Sequence, residues 1–92
     1  MDVLSTAQIE TALADLDGWD YADGALTKTF RFADFPRAVD FVEQLAEVAE
    51  SMKHHPDIDI RYNKVTLRAV THSAAGVTTR DVELAAALDR LA

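Results

Sequence analysis

Apolar positions recur along this chain with a period that switches between helical and extended, and the switches mark out seven elements. Ile9, Ala12, Leu13 and Leu16 share one face of a short helix, which Ser5 and Gln8 open as a capping box and which ends before Gly18. Trp19-Asp20-Tyr21 reads as a short strand, and Asp23-Gly24 supplies the positive-φ residues of a tight hairpin turn. The return strand, Leu26 to Phe32, alternates Leu26, Lys28, Phe30 and Phe32 with Thr27, Thr29 and Arg31. Lys28 breaks the apolar face, which predicts a sheet edge or the wet end of the strand.

A longer helix follows. Asp34 caps it, Pro36 fits its first turn, and Phe35, Ala38, Val39, Val42, Leu45, Ala46, Ala49 and Met52 form one broad stripe. It should stop at Met52 or Lys53, because His55 precedes Pro56 and is pushed out of helical geometry. Ile58, Ile60 and Tyr62 then alternate with Asp57, Asp59 and Arg61, and Val65, Leu67, Ala69 and Thr71 with Thr66, Arg68, Val70 and His72. Asn63-Lys64 is the expected turn between these two strands. After a small-residue loop, Thr78 and Asp81 form a capping signature for a last helix carrying Val82, Leu84, Ala85, Leu88 and Leu91. The order predicts an α+β fold, a four-stranded antiparallel sheet with helices packed on one face, in one domain over residues 1–92.

Composition narrows the function. A chain of 92 residues buries only a thin core, so self-association would cover further apolar area. With no cysteine, thiol nucleophiles, thiolate metal sites and disulfides drop out. The formal charge of −7 disfavours nucleic acid or anionic lipid as a partner. No apolar run approaches the roughly 18 residues of a membrane span, and an acid stands at Asp2 where a signal peptide is basic; a cytoplasmic location is the expectation. The charge is also uneven. Residues 1–50 hold eleven acids and three bases, whereas residues 51–92 hold five and six, so the acidic half reads as a solvated surface.

The nearly neutral half carries all three histidines: His54 and His55 where the long helix ends, and His72 just past a strand. Imidazole, with an unperturbed pKa of about 6.5, is the natural acid and base near neutral pH. Groups reaching one ligand from two sides suit a dehydration, in which one protonates a leaving hydroxyl and another takes a proton elsewhere. Each residue also has a plainer role. Histidines before a proline can serve only to satisfy helix-end carbonyls, and His72 can be a half-exposed strand end. Glu50, four residues before His54, either makes a helical side-chain pair or orients that ring; Asp81 is most simply a cap, and Tyr62 sheet packing. No metal site is expected, since His54 and His55 are contiguous rather than spaced along one helical face. The three isolated glycines make no phosphate-binding loop.

Together these residues form a longer pattern: Glu50, then His54-His55-Pro56, Tyr62, His72 and Asp81, separated by gaps of three, five, nine and eight residues. The pattern resembles the signature of the pterin-4a-carbinolamine dehydratases. Phe32 to Ala38, Tyr62 to Val65, Thr71 to Gly76 and Arg80-Asp81 resemble the same family around it. The resemblance implies a dehydratase acting on 4a-hydroxytetrahydropterin, the product left by a pterin-dependent aromatic hydroxylase, and yielding quinonoid dihydropterin. It implies His54 and His72 as the acid–base pair, and His55 as a ring that polarises the pterin and shares the proton work. Glu50, Pro56, Thr71, Ser73 and Asp81 become substrate-binding positions, Thr71 and Ser73 through their backbone, and Glu50 and Asp81 either on the substrate or supporting the site from behind. The pterin is the substrate, so no cofactor and no metal is implied. A homodimer or homotetramer is the expected assembly. The same fold also serves as a non-catalytic module that stabilises another protein's dimer or assists assembly, which is the alternative reading.

Overall fold

Each predicted element forms, though the stripe of the long helix is shifted: Phe41 is buried, whereas Phe35 and Ala46, expected in the stripe, are exposed. The computed structural model describes residues 2–92. Helix α1 (Thr6–Leu13) opens on the capping box: Gln8 N–H donates to Ser5 Oγ at 3.2 Å, and Ser5 N–H to Gln8 Oε1 at 2.8 Å. Beyond Leu13 the chain tightens, with Asp15 and Leu16 bonded three residues back, and Gly18 completes the exit at φ +78°. Strands β1 (Asp20–Ala22) and β2 (Ala25–Arg31) are joined by Asp23 and Gly24, both at positive φ as predicted. Helix α2 (Phe35–Met52) starts where Asp34 Oδ1 accepts the Arg37 N–H at 3.0 Å. Strands β3 (Asp57–Arg61) and β4 (Lys64–Ala69) follow, then a 3₁₀ turn (His72–Ala74) and helix α3 (Thr79–Asp89).

The sheet is antiparallel throughout, in the order β1-β2-β4-β3. Leu26 and Phe30 of β2 and Val65, Leu67 and Ala69 of β4 point to the helices, where Phe41, Leu45 and Ala49 of α2 and Leu84, Ala85 and Leu88 of α3 bury them. Each such large aliphatic side chain contributes about 1.5–3 kcal/mol by leaving water. Phe41 also lies against Phe30 and Phe32, with ring centroids 4.8 and 5.0 Å away. On the other face the hydroxyls of Thr29 and Thr66, paired across β2 and β4, meet at 2.9 Å. The α+β architecture expected from the periodicity is the one observed.

Two local expectations are corrected. Lys28 stands just past Thr27, the last residue of β2 that β1 pairs, so it lies at a local edge, but it is not wet: it pairs with Leu67 of β4 and its side chain is only 17% exposed. Its ammonium passes 4.6 Å from the Phe30 ring centre and is held by the Asp17 carbonyl at 2.6 Å and by Asp89 at 2.9 Å. Asp89 also accepts from the Trp19 indole N–H at 2.9 Å, so a partly buried charge stands on the core face because its donors are satisfied. The second hairpin turns at Tyr62-Asn63 rather than Asn63-Lys64, with Tyr62 at φ +52°. Asn63 sets that register: its side-chain amide donates to the Phe32 carbonyl at 2.9 Å, and its own carbonyl accepts the Phe32 N–H at 2.9 Å.

Candidate active site

The site forms where the end of α2 meets the segment that leaves β4. Lys53 ends α2 in the left-handed region, at φ +54°, and reverses the chain. The His54 N–H then bonds back to the Ala49 carbonyl at 3.1 Å, the six-to-one closure of a Schellman turn, and Pro56 prevents the helix from resuming. A lysine in that conformation costs about 1–2 kcal/mol relative to one with negative φ, where glycine is usual.

A cleft of ≈ 230 Å³ opens beside this turn, lined by His54, His55, Thr71, His72 and Ser73 with Lys53 and Val70. Five of the predicted positions thus share one wall. Its size suits a small flat heterocycle, being below the roughly 300–1,000 Å³ typical of pockets for drug-sized ligands. A larger groove of ≈ 400 Å³ runs between α1 and α3, past Gln8, Asp15, Val82 and Glu83, but holds no imidazole. Proton chemistry therefore points to the smaller cleft.

His54 is held from behind. Its Nε2 lies 2.5 Å from Asp81 Oδ1, with the ring mostly buried and the carboxylate fully so. Asp81 Oδ2 accepts from the Thr71 hydroxyl at 2.8 Å and from the Thr78 N–H at 2.9 Å. Because Thr71 gives its proton to Asp81, the 2.8 Å contact between the Thr71 and Thr78 hydroxyls needs Thr78 as donor. Thr78 Oγ1 in turn accepts the Arg80 N–H at 3.3 Å, so donors and acceptors run in one direction through the network. An ionised carboxylate only accepts, so its third bond places a proton on His54 Nε2 and leaves Nδ1 as the nitrogen that can carry the ring's lone pair. Asp81 is thus both the cap of α3 and the group that sets the tautomer of His54.

The other two imidazoles are exposed. His55 Nε2 contacts Glu50 Oε2 on the outside of the α2 terminus, with side-chain exposures of 61% and 76%. Glu50 therefore pairs with His55 and not with His54, the ring that its four-residue spacing suggested. His72 Nε2 stands 3.9 Å from Asp57 Oδ1, beyond hydrogen-bond reach, and is 74% exposed. Asp57 itself faces Arg68 at 3.4 Å. Glu50, Pro56 and Asp81 do not line the cleft: Glu50 lies outside it, Pro56 is buried and Asp81 stands behind His54. Thr71 joins the network because it extends the inward alternation of Val65, Leu67 and Ala69, a pattern visible in the sequence. Thr78, Arg80 and Asp57 join these contacts without being predicted site residues, and of the three only Thr78 has a local signal in the sequence, as a cap.

Comparison with known proteins gives the family and the fold. The family model described as pterin 4 alpha carbinolamine dehydratase matches residues 2–91. A protein of Herpetosiphon aurantiacus is 47% identical over 99% of this chain and 95% of its own length, and one of Mycobacterium avium is 53% identical over 92% and 90%. Both carry the pterin-4-alpha-carbinolamine dehydratase name provisionally. A crystal structure from Brucella melitensis, described as a transcriptional coactivator/pterin dehydratase, superposes with a TM-score of 0.95 at 38% identity, covering 99% of each chain.

Proposed function

The chain belongs to the pterin 4 alpha carbinolamine dehydratase family, and we propose that it dehydrates 4a-hydroxytetrahydropterin by histidine acid–base catalysis. The reaction breaks the C4a–O bond and an N–H bond of the same ring, forms C=N, and releases water with no change in oxidation state. It asks for one proton donor at the leaving oxygen and one acceptor at the ring nitrogen, and for no cofactor or metal. The observation that carries the reading is the cleft shared by His54, His55 and His72, one ring locked by a buried carboxylate and two open to a ligand.

In this reading His54 accepts or returns a proton through Nδ1, with Asp81 fixing its orientation as carboxylates do for catalytic imidazoles. His72 serves from the 3₁₀ turn that follows β4, and His55 binds and polarises the pterin. Thr71 and Ser73 offer backbone groups to the ring edge, while Glu50 and Pro56 shape the α2 terminus. The physiological setting would be tetrahydrobiopterin regeneration in the cytoplasm, after a pterin-dependent hydroxylase. A homodimer or homotetramer fits the edge strand β3, which carries exposed Ile58, Ile60 and, at its turn, Tyr62. The same exposed edge favours the second reading, a protein-binding module, with which the coactivator wording for the Brucella protein agrees.

The test is the dehydration rate of freshly generated 4a-hydroxytetrahydropterin. The wild type should accelerate it, and His54→Ala and His72→Ala should each cost about 10²–10⁴-fold while the fold is kept. No acceleration by folded wild type would refute the enzyme reading and leave the binding module. Full activity in both variants would refute the proton-transfer roles.

A further inference from the structure

Arg80 does not itself line the cleft, yet its guanidinium reaches 28 residues back along the chain to the end of α2. One of its terminal nitrogens donates to the Met52 carbonyl and, at 3.3 Å, to the Lys53 carbonyl. These belong to the last carbonyls of the helix, which have no partner within it. They also flank the one residue of the turn whose backbone is costly, Lys53 at φ +54°. Asp81, the next residue of α3, takes the ring of His54. Two consecutive side chains of α3 thus grip the same turn, Arg80 by the backbone before His54 and Asp81 by the imidazole itself.

We propose that Arg80 is a positioning residue for the reaction: it holds Lys53 in the left-handed conformation and thereby keeps His54 seated on Asp81. The inference rests on the dehydratase reading only for its kinetic consequence. If Lys53 relaxes to negative φ, the chain leaves α2 in another direction and the His54 ring cannot meet a carboxylate fixed in the first turn of α3. A displacement of about 1 Å can cost about 10²-fold in rate. A direct electrostatic action of Arg80 on the substrate would make a different prediction, because it would not depend on which residue stands at position 53.

The experiment is a cycle of Arg80→Ala and Lys53→Gly, since glycine adopts positive φ without the steric cost. With lysine at position 53, Arg80→Ala should lower kcat at least about tenfold with little change in KM; in the Lys53→Gly background the same substitution should cost less than about threefold. Arg80→Gln, which keeps a donor and most of the stem, covers the case in which the alanine variant unfolds. A second readout is independent of activity. In ¹⁵N-histidine spectra the Nε2 proton of His54 should exchange slowly with water in wild type, quickly in Arg80→Ala, and slowly again in the double variant. Equal losses in both backgrounds would overturn the proposal, as would an unchanged Nε2 proton in Arg80→Ala. A wild type that shows the protected proton and its loss but no dehydration would support the positioning role while refuting the dehydratase reading.

Discussion

His54 and His55 are neighbours in sequence and each contacts a carboxylate, but Asp81 is fully buried whereas Glu50 is three-quarters exposed. Around the first pair, Asp81 is also held by two fixed donors, the Thr78 N–H at the start of α3 and the Thr71 hydroxyl just past β4. Around the second, both partners sit on the same helix end and water surrounds them. The same two functional groups therefore do different physical work. A buried, fully bonded carboxylate dictates which nitrogen of its imidazole carries the proton, because no alternative partner exists. A solvated one competes with water and dictates little. The contrast gives one rigid ring and two adaptable ones along the same cleft.

Replacing Asp81 should produce the largest break in that contrast. Asp81→Ala strips a cap, leaves the Thr78 N–H and the Thr71 hydroxyl unsatisfied in a buried space, and frees His54. We expect a loss of about 3 kcal/mol, measured by urea unfolding. Asp81→Asn separates shape from charge. An amide nitrogen turned to His54 favours the other tautomer, and the dehydration rate should fall by about 10² or more with a smaller loss of stability. Asp81→Asn with unchanged activity would mean that the buried carboxylate does not govern the ring.

Thr71→Val tests the network one bond further out. The substitution keeps the shape of a residue only 6% exposed but removes the hydroxyl that donates to Asp81 and accepts from Thr78. The cost should be about 1–2 kcal/mol by denaturant unfolding, and Thr71→Ser should recover most of it. If valine is tolerated without loss, the direction assigned to the hydroxyl chain is wrong.

Much of this frame was legible in the amino-acid pattern, since alternation and helical spacing depend on near neighbours. The two capping boxes, the Asp23-Gly24 turn and the inward turn of Thr71 all follow from residues within a few positions of one another. What escaped was long-range. Asp81 carried the local signal of a cap, and nothing near it in sequence announces a partner 27 residues away. Lys28 looked misplaced because its anchors, Asp17 and Asp89, come from a loop and from the end of α3. Tyr62 continued an alternation by one residue too many, because the turn is set by Asn63 clasping Phe32, 31 residues earlier and just past the end of β2. The histidine cleft belongs to both kinds: the adjacency of His54 and His55 is local, and the arrival of His72 beside them depends on the sheet.

The smallest expected effect completes the comparison. Glu50→Gln removes the charge that faces His55, where both side chains are more than half exposed. Screening by water and the entropy of holding two mobile side chains offset most of the Coulomb attraction, so stability should change by less than about 0.5 kcal/mol. A double-mutant cycle of Glu50→Gln with His55→Gln should give a coupling in the same range, and moderate salt should erase it. The matching cycle of Asp81→Asn with His54→Gln should give a coupling several times larger and insensitive to salt, because no counterion reaches a carboxylate with no exposed surface. Equal couplings, or equal salt dependence, would show that burial is not what separates the two imidazoles. The division into one rigid ring and two adaptable ones would then have to rest on the substrate rather than on the fold.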